Sequence, residues 1–131
     1  MSAQEQYAPS GNDLARPNQV SGCPLTAAWA ALGGKWKLII IYWLADAPAH
    51  FAGLRRQIPD ISAKVLTEQL RELGADGIVD RHVTGLAPDP VIYSLSDYGQ
   101  SVLPLVEATR HWGNAHMQRP ARDAPGLGTK P

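Results

Sequence analysis

Cysteine is nearly absent from this chain: Cys23 stands alone among 131 residues. One thiol cannot build an internal disulfide framework, and no Cys/His cluster has zinc-ligand spacing. Disulfide-stapled and zinc-built folds are therefore excluded, and no metal or other cofactor is expected. Neither sign of charge is in excess, with 12 Lys+Arg against 12 Asp+Glu and a formal net charge of zero. That balance carries neither the basic signature of a nucleic-acid binder nor the acidic one of a solvating tail. Long apolar runs are missing too. Leu38 to Ala45 is the longest, and it is too short to cross a bilayer. The first residues carry Glu5, Asn12 and Asp13 with no apolar core, so no secretory signal is read and the cytoplasm is the expected compartment. No nucleophile elbow, phosphate loop, metal motif or carboxylate pair is found, so an enzyme is not expected. Gly33-Gly34-Lys35 lacks the remaining positions of a phosphate loop.

What is present fits one globular domain. Hydrophobic residues make up 44%, enough for a packed core. The zero net charge hides a distribution: −1 over residues 1–34, +1 over 35–85, −3 over 86–109 and +3 over 110–131. Residues 1–21 are polar, spotted with Pro and Gly and without period, and read as a disordered arm. Residues 119–131, with Pro120, Pro125, Gly126, Gly128 and Pro131, read as a disordered tail. The folded body is 22–118, with no internal repeat.

Within the body, Pro24 sits at a first helical position and Leu25 to Leu32 continues it until Gly33-Gly34. Lys35 to Ala45 suits a buried strand or a helix; its length favours helix, and Pro48 ends it. Phe51, Leu54 and Ile58 recur on one helical face. Pro59-Asp60 breaks that helix, and Ser62 is placed to cap the next. There Leu66, Leu70 and Leu73 form one stripe, with Lys64, Thr67, Glu68 and Arg71 opposite. Asp76-Gly77 is a stop. Ile78 to Thr84 and Val91 to Leu95 read as two strands around a Pro-rich loop. Ser96 caps a last helix whose apolar positions run from Val102 through Leu105, Val106, Thr109 and Trp112 to Gly113, kinked or restarted at Pro104. The fold class is mainly α with a small β-hairpin. Two short helices joined by a tight turn and followed by a hairpin make a winged helix-turn-helix.

Several segments in this order carry a family resemblance: Cys23-Pro24, Gly33 to Trp36 (GGKW), His50 to Ser62 (HFAGLRRQIPDIS), Lys64 to Arg81 (KVLTEQLRELGADGIVDR), Val91 to Gly99 (VIYSLSDYG) and Trp112-Gly113. Residues 23 to about 116 resemble the HxlR family of bacterial winged-helix transcriptional regulators, relatives of the MarR type. The resemblance implies a homodimer on a pseudo-palindromic, double-stranded DNA operator. The helix from Ser62 to Leu73 is then the recognition helix and the hairpin the wing. The N- and C-terminal helices become dimerisation helices, with Leu25, Trp29, Leu105, Thr109 and Trp112 at the interface.

The physics of a recognition helix agrees, since its back must pack while its polar front meets the major groove. Lys64 and Arg71 can reach phosphates or guanine, and Thr67 and Gln69 can hydrogen-bond bases or phosphates. Taken as an isolated helix, the same residues also fit a solvated face with pairs such as Lys64–Glu68, Glu72 included; the resemblance favours DNA. Arg55 and Arg56, just before the turn, are candidate backbone anchors. Arg81 and His82 on the first wing strand either flank the minor groove or, for Arg81, pair with Asp80 or Asp76. Ser62 completes the candidate DNA-binding set. Where the family usually has Arg-Phe this chain has His50-Phe51. At the wing tip, where a base is frequent, it has Pro88-Asp89-Pro90, and Ile92 stands where an acidic residue is common. Two of these departures remove positive charge, and His50 would bring pH sensitivity.

Two readings of Cys23 stand. At a helix N-terminus the dipole favours a thiolate, and resembling proteins use a cysteine here to sense quinones, aldehydes or other oxidants. The other reading is a small hydrophobe buried at the dimer interface. Trp29, Trp36, Tyr42, Trp43 and Trp112 either line a pocket for a small-molecule effector or, preferably, form a Trp-rich core. His111 and His116 lack the i,i+4 spacing of a metal pair. The functional alternative to a DNA-binding regulator is a winged-helix protein–protein interaction module with weak or lost DNA binding.

Overall fold

We analysed a computed structural model, which describes residues 22–85, 88 and 90–122. The expected disordered arm, the tail from residue 123 and the wing-tip residues Leu86, Ala87 and Asp89 lie outside the described residues.

Helix α1 spans Pro24–Leu32, α2 Lys37–Asp46, α3 Phe51–Gln57 and α4 Ala63–Ala75. Strands β1 (Val79–Val83) and β2 (Val91–Leu95) follow, then α5 (Asp97–Gln100) and α6 (Leu103–Met117). The turn chemistry sets most of these bounds. Pro24 opens α1, where its missing N–H costs nothing, and the Gly33 N–H closes that helix onto Trp29 O at 2.7 Å. The Val65 N–H donates to Ser62 Oγ at 3.1 Å, satisfying one orphan donor at the start of α4. Gly77 takes φ +75°, which a side chain would resist, and turns the chain from α4 into β1.

The hairpin is antiparallel and in register from Val79↔Leu95 to Val83↔Val91. A third short stretch joins it: Ala49 and Tyr93 exchange backbone hydrogen bonds of 2.9 and 2.8 Å. The His50 ring extends this junction, with Nδ1 donating to Val91 O at 2.8 Å. His50 thus ties the entry of α3 to the wing, a use the sequence reading did not anticipate.

One core gathers residues from every element but the short α5. Ile40, Ile41 and Leu44 of α2 meet Leu54 of α3, Leu66, Leu70 and Leu73 of α4, Ile78, Val79 and Val106. Ile58 and Ile61 fill the space inside the helix–turn–helix corner. Full burial of each such side chain contributes about 1.5–3 kcal/mol. Of the kink or restart expected at Pro104, the structure shows the restart, with two helices after Ser96. Ser96 caps the short α5 through Gly99 N–H at 2.8 Å, and α6 restarts with Pro104 in its first turn. Ser96 Oγ also donates to Gly77 O at 2.6 Å, stitching α5 to the end of α4.

The expected Trp-rich core is not found. Trp36 and Trp43 are half-buried against the core, but Trp29 and Trp112 are each 67% exposed. Both sit on outer faces of terminal helices, where the described residues leave them uncovered.

Candidate nucleic-acid interface

The back of α4 is buried through Leu66, Leu70 and Leu73, which fixes the rotation of the helix about its axis. Lys64, Thr67, Glu68 and Arg71 consequently face solvent, and Gln69 lies half-buried on the shoulder. Ser62 Oγ is engaged by the cap, which leaves its hydroxyl proton for an outside acceptor. The alternative Lys64–Glu68 pair does not form among the described residues, which leaves Lys64 for another partner. Arg55 and Arg56 are exposed in the last turn of α3, where cations also suit the helix dipole. A shallow depression bounded by His50, Gly53, Arg56 and Gln57 lies at this helix. On β1, Arg81 faces Tyr93 and His82 faces Ile92 across the ladder. Both are exposed, and Arg81 makes no ion pair with Asp80 or Asp76 among the described residues.

Sequence reading missed Lys37. It is buried, at 6% exposure, and its Nζ lies 2.8 Å from Glu72 Oε1. Glu72 is therefore not part of the solvated face of α4: it is half-buried and paired. Its second oxygen stands 3.9 Å from the Arg71 guanidinium. No local signal could have found it, since the run that follows Lys37 is apolar on all sides and marks no inner face.

Away from α4, the exposed apolar surface is concentrated on the terminal helices. Leu25 (81% exposed) and Trp29 stand on α1, and Leu105 and Trp112 on α6. Trp112 stacks on His116 with ring centroids 4.9 Å apart. No group of three or more His, Cys, Asp or Glu suited to a metal occurs among the described residues. Between α2 and α6 lies an open groove of about 290 Å³, lined by Leu38, Ile39, Tyr42, Val106, Thr109 and Arg110. Of the five aromatics considered for an effector pocket, Tyr42 lines it and the others do not.

Cys23 is the N-cap residue of α1 and is exposed in the described chain, not buried. The Thr26 amide, its hydroxyl and then the Leu25 amide favour the thiolate and hold the thiol below its ordinary pKa. The sign is that of a more reactive nucleophile near neutral pH. Alkylation by iodoacetamide should accelerate at lower pH than for an ordinary cysteine. Thr26→Val should move that midpoint upward, as followed by mass spectrometry across a pH series. Identical profiles in both chains would remove Thr26 as a cause.

Residues 31–121 match the family model of the HxlR-like helix-turn-helix. The chain is 42% identical over 100 residues to YybR of Bacillus subtilis, an uncharacterized HTH-type transcriptional regulator, covering 76% of this chain and 79% of that one. It resembles the crystal structure of YtcD, likewise an uncharacterized HTH-type transcriptional regulator of Bacillus subtilis. The TM-score is 0.70 and the identity 38%, over 74% of this chain and 99% of that one. The redox regulator HypR in its reduced form matches at TM-score 0.70 and 40% identity, over 73% of this chain and 95% of that one. With its helix-turn-helix, hairpin wing and solvent-facing α4, this chain belongs to the HxlR-like helix-turn-helix family of transcriptional regulators.

Proposed function

We propose that this protein binds a pseudo-palindromic operator as a homodimer, with one α4 in each of two successive major grooves. The observation that carries this reading is the division of α4 itself. Leucines lock its back into the core, and Lys64, Thr67, Glu68 and Arg71 are left on one outer face. A major groove admits such a helix, and half-sites about one helical turn apart match a two-fold dimer. Arg55, Arg56 and the hydroxyl of Ser62 contact the DNA backbone, while Arg81 and His82 approach the adjacent minor groove. Leu25, Trp29, Leu105, Thr109 and Trp112 form the dimer surface, where the exposed tryptophans become buried.

Cys23 responds to oxidants or electrophiles in this reading, supported by its exposure, its lowered pKa and the redox regulator among its structural relatives. The apolar groove between α2 and α6 is where a small aromatic effector would sit. Full alkylation of Cys23, verified by mass, should change operator affinity in the native protein and leave Cys23→Ser unaffected. Unchanged affinity after complete modification would remove the sensor.

The operator reading is tested by titration over a salt series. Specific binding should weaken as salt rises, at about 0.9 in log–log slope per neutralised phosphate. The near-neutral body leads to few such contacts and a shallow slope. Lys64→Ala should lower affinity roughly tenfold, and unaltered affinity would mean that α4 is not the reading helix.

A further inference from the structure

Lys37 is a costly residue where it stands. It occupies the first position of α2, where the helix dipole disfavours a cation, and its side chain is almost wholly out of water. An ion pair that takes one of its charges out of water in this way adds little stability compared with an apolar residue of similar size. The pair does have a second consequence. The Glu72 carboxylate has two cations within reach, Lys37 Nζ at 2.8 Å and Arg71 at 3.9 Å. Lys37 is rooted in the core on α2, and Arg71 is exposed on the outer face of α4. Lys37 holds Oε1 at hydrogen-bond distance, while Arg71 stands off Oε2 at the outer limit of an ion pair.

We propose that Lys37 is a positioning residue for DNA binding: by holding Glu72, it keeps that carboxylate from capturing Arg71 and leaves the Arg71 guanidinium available to a phosphate. Without Lys37, Glu72 would be an unneutralised anion beside Arg71. The nearest cation would close on it, since charge-assisted pairing of a guanidinium with a carboxylate is strong and geometrically specific. Arg71 would then be withdrawn from the DNA by its own neighbour in sequence, and Glu72 would also repel the phosphates. Lys37 thus acts on the nucleic acid through Glu72 without touching it.

This inference rests on the reading of α4 as the DNA-facing helix, and the test separates the two. The full chain is titrated against one selected operator duplex over a salt series, with melting temperatures recorded for every variant. Arg71→Ala should lower the slope by about two per dimer, one phosphate per protomer at ~0.9 each. Lys37→Met should lower it by the same amount and weaken binding roughly tenfold. Adding Glu72→Gln to Lys37→Met should restore most of the slope, because the captor of Arg71 is then neutral. Lys37→Arg, which keeps the cation, should keep the native slope. A purely structural Lys37 would move the melting temperature but not the slope, and Glu72→Gln would rescue nothing. If Lys37→Met does not fold, Lys37→Gln carries the same comparison. A native slope in the Lys37 variants with a lowered one in Arg71→Ala overturns the inference and leaves the interface intact. A native slope in Arg71→Ala also overturns the inference, because Arg71 then neutralises no phosphate, and the reading of α4 is judged separately by Lys64→Ala.

Discussion

Gly99→Ala should lower the melting temperature by roughly 4–24 °C. A Cβ built on Gly99 falls inside the van der Waals envelope of the Ile78 carbonyl oxygen, far closer than real side chains approach backbone. The neighbour cannot swing away. Ile78 O accepts from the Ser96 N–H at 3.0 Å and from Ser96 Oγ at 3.1 Å, and the Gly99 N–H itself donates to Ser96 Oγ at 2.8 Å. Relief requires parting α5 from the entry of β1, with loss of that network and loosening of Val102 and Val106 behind it. Overpacking of this kind costs about 1–3 kcal/mol. For a domain of this size each kcal/mol is worth about 4–8 °C. Thermal unfolding followed by circular dichroism measures the effect. A shift under about 3 °C would show that α5 can move off β1 freely, contrary to the packing described.

Trp112→Glu should separate the proposed dimer and with it most operator binding. Trp112 projects from α6, and most of its large apolar surface is left uncovered by the described residues. Buried aromatic anchors dominate such interfaces, and a carboxylate in that place would be desolvated without a partner. The dimer dissociation constant should rise roughly 100-fold, equivalent to about 2.7 kcal/mol. Operator affinity should fall further, because two half-sites held together gain an avidity of ~10²–10⁴ over one. Sedimentation analysis checks the first effect and anisotropy titration the second. The far-UV spectrum should be native, since Trp112 is mostly exposed, is not a member of the buried core and stacks on His116. A native dimer in this variant would move the interface off α6.

How much of this was legible in the sequence depends on the element. For α4 nearly all of it was. Three leucines at helical spacing fix the inner face, Ser62 and Asp76-Gly77 fix the ends, and the outer residues follow by geometry. The hairpin was legible from its turn residues and β-branched runs. For α2 only its existence was readable. With apolar side chains on all sides, the sequence carries no information about which face turns inward, so the burial of Lys37 against Glu72 was invisible. The Ala49–Tyr93 pairing is a backbone contact between distant segments and leaves no local period. Trp29 and Trp112 fit both a Trp-rich core and, by the family resemblance, the dimer interface, because large apolar residues seek burial. That tendency does not say whether the burying surface belongs to the same chain or to a second copy.

The most direct test of the reading of α4 is selection of bound duplexes by the full-length protein from a random DNA library, followed by sequencing. Enrichment of a pseudo-palindrome with half-sites about 10 base pairs apart, lost with Lys64→Ala, is the expected result. Failure to enrich any sequence, or enrichment of the same sequence by Lys64→Ala, would contradict it.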